Sequence, residues 1–238
     1  MNKENILLLI IIIFGGTIYN SFADQRIYVW TYEYKTMHRG EAEMEHYFTL
    51  SSPKLDQMEG QTSIEHQLEL EVGMTDHFDF AIYHVIKQNP NDKLAYDSYK
   101  LRARYRFGEK NQYVVDPLIY VEYIGKADFS KHKIEAKLIL AKDFKNINVA
   151  FNPYFEYEGY GVSWEIYPKY TLGLSYRFSK LFNVGIEFKG GEDGHYWGPT
   201  IAHGNSDFWF SIGSAIKIGQ IKNNKSEFQL RLLTGIHL

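Results

Sequence analysis

Residues 62–107 read TSIEHQLELEVGMTDHFDFAIYHVIKQNPNDKLAYDSYKLRARYRF, and the fold follows from their alternation. Ile64, His66, Leu68, Leu70 and Val72 occupy one face, and Ser63, Glu65, Gln67, Glu69 and Glu71 the other. Phe78, Phe80, Ile82, His84 and Ile86 then alternate with Asp79, Ala81, Tyr83, Val85 and Lys87. Tyr99, Leu101, Ala103, Tyr105 and Phe107 alternate with Lys100, Arg102, Arg104 and Arg106. A period of two sustained over about 10 residues and repeated between turns marks transmembrane β-strands, not helices.

The same pattern extends outward in both directions. Upstream, Ala42, Met44, His46, Phe48 and Leu50 oppose Glu41, Glu43, Glu45, Tyr47 and Thr49. Downstream, alternating faces begin near Val115, His132, Ile147, Val162, Phe182, Trp197, Phe208 and Phe228, the last running to the chain end. Counting from Gly40 gives an all-β chain, a transmembrane antiparallel β-barrel of 12 strands, and the even count suits a bacterial barrel. Longer connections at 51–61, 88–96, 125–131, 190–197 and 219–226 interleave with shorter ones at 74–77, 108–113, 142–146, 179–180 and 204–206. Short connections belong in the periplasm, which places the last strand's end there.

The N-terminus carries Lys3, an apolar run from Ile6 to Phe14, and Ser21-Phe22-Ala23. This is a secretory signal peptide over 1–23, cleaved after Ala23, and its apolar run is too short for a spanning helix. Residues 24–39 form an extended lead-in, periplasmic or lumenal, and 40–238 form the barrel. Mean hydropathy is only −0.35, as expected where alternate residues alone meet lipid. The 19 Tyr and 16 Phe suit interfacial girdles. Phe78, Tyr105, Phe107, Tyr176, Phe178 and Phe182 flank short turns, and Tyr99, Tyr123, Tyr157, Trp164 and Phe188 flank long ones. A soluble β-sandwich or lipocalin-like barrel also alternates; two girdles at opposite strand ends favour the membrane. Pro153 and Pro168 fall mid-strand, so each requires a bulge or a gap in the ladder.

There are no cysteines, which excludes disulfides and Cys-ligated metals. A net charge of −3 gives no bulk field for nucleic acid. The inner face is nevertheless strongly charged. Glu41, Glu43, Glu45, Glu65, Glu69 and Glu71 form an acidic sector, and Lys100, Arg102, Arg104 and Arg106 a basic one two strands away. Asp116 and Glu122 are placed to pair with Arg106 and Lys100. Such a network either fills and fixes the lumen or sets a field across a constriction.

His46, His66 and His84 fall on the apolar face, and a hairpin closing with Val72 opposite Phe78 sets His66 opposite His84. They are read as interfacial imidazoles, with no metal or cofactor expected. His203, Ser206 and Asp207 are close in sequence at a predicted turn but match no catalytic motif, so no catalytic residue is expected.

Three segments carry a resemblance: Gly40-Glu41-Ala42-Glu43-Met44-Glu45; Glu69 to Phe78, a strand, turn and strand; and Trp197-Gly198-Pro199. In these the chain resembles bacterial outer-membrane β-barrels of the phenol-degradation-pathway transporter type. The resemblance implies a barrel that transports small molecules, and carries over no catalytic residue. The expected function is therefore a narrow porin-like channel or transporter in the outer membrane, for small polar or charged solutes. The alternatives are a closed structural barrel and an outer-membrane lipid hydrolase. Expected partners are outer-membrane lipid and lipopolysaccharide, and the barrel-assembly machinery through the C-terminal strand, with no nucleic acid.

Overall fold

The computed structural model describes residues 25–56, 58–161, 163–223 and 225–238. The leader expected over 1–23 lies outside them. Twelve antiparallel strands form a closed barrel: β1 (Ala42–Ser52), β2 (Ser63–Thr75), β3 (Phe78–Gln88), β4 (Ala95–Arg106), β5 (Asp116–Lys126), β6 (His132–Phe144), β7 (Ile147–Tyr160), β8 (Ser163–Arg177), β9 (Phe182–Gly191), β10 (Gly194–Gly204), β11 (Phe208–Ile218) and β12 (Phe228–His237). Each strand pairs with its sequence neighbours, and β1 closes the ring on β12 from Glu43↔His237 to Ser52↔Phe228. Closure leaves no sheet edge to be solvated in lipid.

Alternation decides which side chains face out. On β2, Leu70 is 43% exposed and Glu71 is 0%. Leu68, Ile82, Leu101 and Leu138 share the outer belt, and Gln67, Tyr83, Arg102 and Arg104 the buried interior. At the end where the barrel's two termini meet, Tyr105 packs edge-on against Phe107 and Tyr176 against Phe178. At the opposite, loop-bearing end, Tyr99 meets Tyr123 and Tyr157 stacks on Trp164 at 4.6 Å.

Both mid-strand prolines sit where no donor is required. The β6–β7 ladder skips from Lys137↔Tyr154 to Leu140↔Phe151 without changing register, so Pro153 occupies a gap. Pro168 lies one residue beyond the last β8–β9 pair, Lys169↔Gly191.

Three connections differ from expectation. Residues 190–197 are not a loop: Gly191 pairs with Gly194 and Gly190 with His195, leaving a two-residue turn. Ladder bonds there outweigh glycine's weak strand preference. Residues 107–115 form a longer connection than expected, and Val115 is outside β5. The Asp116 carboxylate accepts from the Asn111 and Tyr113 amides at 2.8 and 3.2 Å, which holds that loop folded before the strand begins. The β2–β3 register sets Val72 opposite Phe80 and His66 opposite Ile86, with an irregularity between Gly73 and Thr75. His66 therefore does not face His84.

The lead-in occupies the lumen. Residues 25–38 enter from the terminal end and turn back on themselves, burying Tyr28, Val29, Thr31 and Met37. Ile27, Tyr28, Tyr32 and Tyr34 pack on Leu118, Tyr120, Ile139, Ala141 and Ala150. Val29 packs with Tyr47, Ala81, Tyr83, Trp209 and Leu233. Two inner-face glycines make room for it: a Cβ on Gly173 would lie 2.6 Å from the Tyr28 ring, and one on Gly213 2.7 Å from Val29. Burial of each large side chain contributes roughly 1.5–3 kcal/mol, so the segment is held as core.

Candidate functional site

The charged inner wall of β2, β3 and β4 converges in the terminal half of the lumen. Register places Glu71 opposite Ala81, Ala81 opposite Arg102 and Asp79 opposite Arg104, so long side chains from β2 and β4 meet over the small alanine. Arg102 reaches Glu69 at 2.7 Å and Glu71 at 2.5 Å, and donates to the Tyr83 hydroxyl at 2.7 Å. Arg104 pairs with Glu71 and, through Nε and Nη2, with Asp79 at 3.0 and 2.8 Å. The Tyr47 hydroxyl donates to Glu69 at 2.8 Å and accepts from Arg26 at 2.9 Å. Trp209 donates to Glu43 at 3.1 Å. Glu45 is buried in the same region, and Glu41 is half-buried on the residue before β1. Buried charges need partners of this density, because an unpaired one is costly.

The lead-in is tied by its backbone amides to inner-face side chains around the barrel. Glu187 on β9 accepts from the Val29, Trp30 and Thr31 amides at 2.8, 2.9 and 2.8 Å. Asn152 accepts from the Tyr32 amide at 2.6 Å and donates to its carbonyl at 3.0 Å. Asp79 accepts from the Met37 amide at 3.1 Å, and Tyr28 donates to Asn148 and Ser175. A segment without regular structure must place its amides somewhere, and here inner-wall side chains take them.

Above the lead-in, toward the loop end, lies an open cavity of about 480 Å³. Nine basic and five acidic side chains line it. Most of the cations carry a carboxylate partner: Lys87 with Glu65 at 2.8 Å, Lys100 with Glu122 at 3.2 Å, Lys131 with Glu158 at 2.5 Å, Lys133 with Glu156 at 3.3 Å and Lys137 with Glu135 at 2.8 Å. Lys126 pairs with Asp97. The lumen is thus acid-rich in its terminal half and base-rich in its loop half.

Of the residues singled out from sequence, Glu43, Glu45, Glu69, Glu71, Arg102 and Arg104 lie in the buried terminal-half core, and Glu65, Lys100 and Glu122 line the cavity. Arg106 and Asp116 do not pair. Arg106 donates to Glu109 and to the Asp76 carbonyl, both at 2.8 Å, while Asp116 is committed to its loop amides and lies 3.7 Å from Lys142. His46 and His66 share a 3.0 Å contact on the outer face, whereas His84 meets the Tyr96 hydroxyl. The His203 ring lies against Phe182 and Phe210, and the Ser206 hydroxyl donates to Asp207, so these three do not form a nucleophile and base. Sequence reasoning passed over Arg26, Asp79, Glu187, Lys189 and Arg231. For Glu187 and Lys189 the available signal was two adjacent inward positions of β9, both charged, before a glycine pair.

No protein-family model and no curated protein matches the chain. Solved structures do. An outer membrane channel from Pseudomonas putida F1 superposes with a TM-score of 0.64 at 12% identity, covering 89% of this chain and 100% of its own. The KdgM porin gives 0.59 at 10%, covering 82% and 98%. The NanC porin gives 0.56 at 11%, covering 83% and 100%. The chain therefore has the fold of bacterial outer-membrane β-barrel channels.

Proposed function

We propose that this barrel is a narrow outer-membrane channel for small polar or charged solutes, stoppered by its own lead-in. The observation that carries this reading is the juxtaposition of an open, charge-lined cavity with a stopper that has no regular structure and whose backbone amides are held by wall side chains. A barrel with only a structural role would gain nothing from an open cavity lined with charged side chains. Passage requires residues 25–38 to shift, because they and the Arg102–Arg104 network fill the terminal half.

Single-channel recording in planar bilayers tests it. The full mature chain is expected to open briefly and rarely, and a variant lacking 25–38, or Glu187→Gln, to conduct for most of the record. The closed-barrel alternative draws on the same tight packing, and it wins if wild type and both variants run as folded barrels on gels yet none conducts. Lipid hydrolysis by the purified barrel would instead favour an enzyme.

A further inference from the structure

Among the described residues, three cations lining the cavity form no ion pair with a carboxylate: Arg26, Lys189 and Arg231. Arg26 is buried within the stopper, donating to Tyr47 and to the Thr31 carbonyl; Lys189 and Arg231 are the two that stand together beside Trp30. Lys189 donates to the Gln229 side-chain carbonyl, and its ammonium lies 4.3 Å from the centre of the Trp30 ring. Arg231 donates to Thr49 at 2.9 Å and to the Val29 carbonyl at 3.3 Å, with its guanidinium 5.5 Å from the same ring. Both are partly buried, and both line the cavity beside Trp30. Neutral acceptors and an aromatic face solvate a cation without cancelling its charge. Two like charges held over one ring repel unless an anion joins them.

The geometry points to a binding site for a small oxyanion, formed by Lys189, Arg231 and Trp30 at the floor of the vestibule. Arg231 offers a planar fork that suits carboxylate or phosphate oxygens, and Lys189 adds a point charge from β9, three strands round the barrel from β12. A cavity of about 480 Å³ is of the size that accepts small organic ligands. The ligand class is an organic carboxylate or phosphate whose body fills the cavity and whose oxyanion reaches its floor. This deepens the channel reading by naming the solute class that the loop end admits.

Calorimetry on the full mature chain in detergent tests the site, with citrate and inorganic phosphate titrated separately. Wild type is expected to bind at least one of them, the choice of probe distinguishing carboxylate from phosphate recognition. Lys189→Gln combined with Arg231→Gln should weaken binding at least tenfold. Lys110→Gln, which removes one positive charge from a loop at the other end, should change it less than twofold. Folding of each variant is checked by heat-dependent mobility on gels. The inference is overturned if folded wild type binds neither probe, or if the double variant binds as wild type does. Binding is read without current, so a barrel that binds but never conducts would sink the channel reading alone. One that conducts but binds neither anion would sink the site alone.

Discussion

Replacing Glu187 by Gln separates the stopper from the wall that holds it. The carboxylate accepts three successive amides of the lead-in, Val29 on Oε1 and Trp30 and Thr31 on Oε2. The amide side chain has one acceptor. Placed toward Trp30 and Thr31 it keeps two bonds in neutral form, and each falls from roughly 1.5–3 to roughly 0.5–1.5 kcal/mol. Its NH2 group then confronts the Val29 amide, leaving a buried donor unsatisfied at a cost of about 1–3 kcal/mol. Together these remove about 3–6 kcal/mol from docking of residues 29–31, or at least roughly two decades in the docking equilibrium, since each 1.4 kcal/mol is about tenfold. Hydrogen exchange on the detergent-solubilised barrel reads this directly. The Val29–Thr31 amides should exchange at least about a hundredfold faster in Glu187→Gln, while β2–β4 ladder amides keep their protection. Exchange at Val29–Thr31 within threefold of wild type would refute the reasoning, because the carboxylate would then not be what holds the segment.

The buried ion network and the surface pairs should respond very differently. Arg104→Met takes from Asp79 its close guanidinium partner, leaving Arg102 3.7 Å away, and leaves Glu71 to Arg102 alone; it is expected to cost about 3–5 kcal/mol, whereas Lys110→Met breaks a half-exposed pair with Asp143 and costs less than about 1 kcal/mol; the temperature at which each barrel loses its folded gel mobility compares them. On the loop end, Lys222 and Lys225 hold the 219–227 connection to Asp193 at 3.0 and 2.8 Å. Partial burial pushes the Asp193 carboxyl up, but hydrogen bonds from Lys225 and Lys222 outweigh it and hold the group below the usual carboxylate range. A depressed carboxylate contributes above its ordinary value and ceases to as pH falls through its lowered one. Protease cleavage within 219–227 should accordingly rise in acid, and in Asp193→Asn it should be high already at neutral pH.

Strand alternation was legible because a period of two is local: Leu68, Leu70 and Glu69 announce their faces without knowledge of any other strand. Register was not: the β2–β3 turn is tighter than the alternation suggests and carries a one-residue slip between Gly73 and Thr75, so Val72 faces Phe80, two residues from the expected Phe78, and no propensity marks it. The lead-in was legible only as extended chain. Its partners are remote, Glu187 lying 158 residues from Val29 and Asn148 lying 120 from Tyr28, so the acceptors that satisfy it belong to strands read for other reasons. Gly173 and Gly213 have no side chain to announce a role, yet they are sockets for Tyr28 and Val29. The acidic residues from Glu43 to Glu71 lie on β1 and β2 and the basic ones from Lys100 to Arg106 on β4. Their meeting across Ala81, and the role of Asp79 between the two arginines, depend on side-chain length and the barrel's curvature.

Glu187 and Lys189 connect the stopper to the vestibule. They share the inner face of β9 two positions apart, about 7 Å along a strand, within reach of each other as side chains. With the lead-in docked, Glu187 is occupied by the amides of residues 29–31 and Lys189 is left beside Trp30 without a carboxylate. When the lead-in leaves, the carboxylate is freed and becomes the nearest competitor for Lys189, while Trp30 departs from the site. An oxyanion on Lys189 and Arg231 must therefore bind the docked state more tightly, and by linkage it must favour docking by the same factor. Saturating anion should then increase protection of the Val29–Thr31 amides in wild type, and that increase should vanish in the Lys189→Gln, Arg231→Gln double variant. Movement of the stopper would in turn deliver a carboxylate to the cations that hold the solute and weaken their grip. Faster amide exchange on adding anion would reverse the sign of this coupling and rule out such a release step.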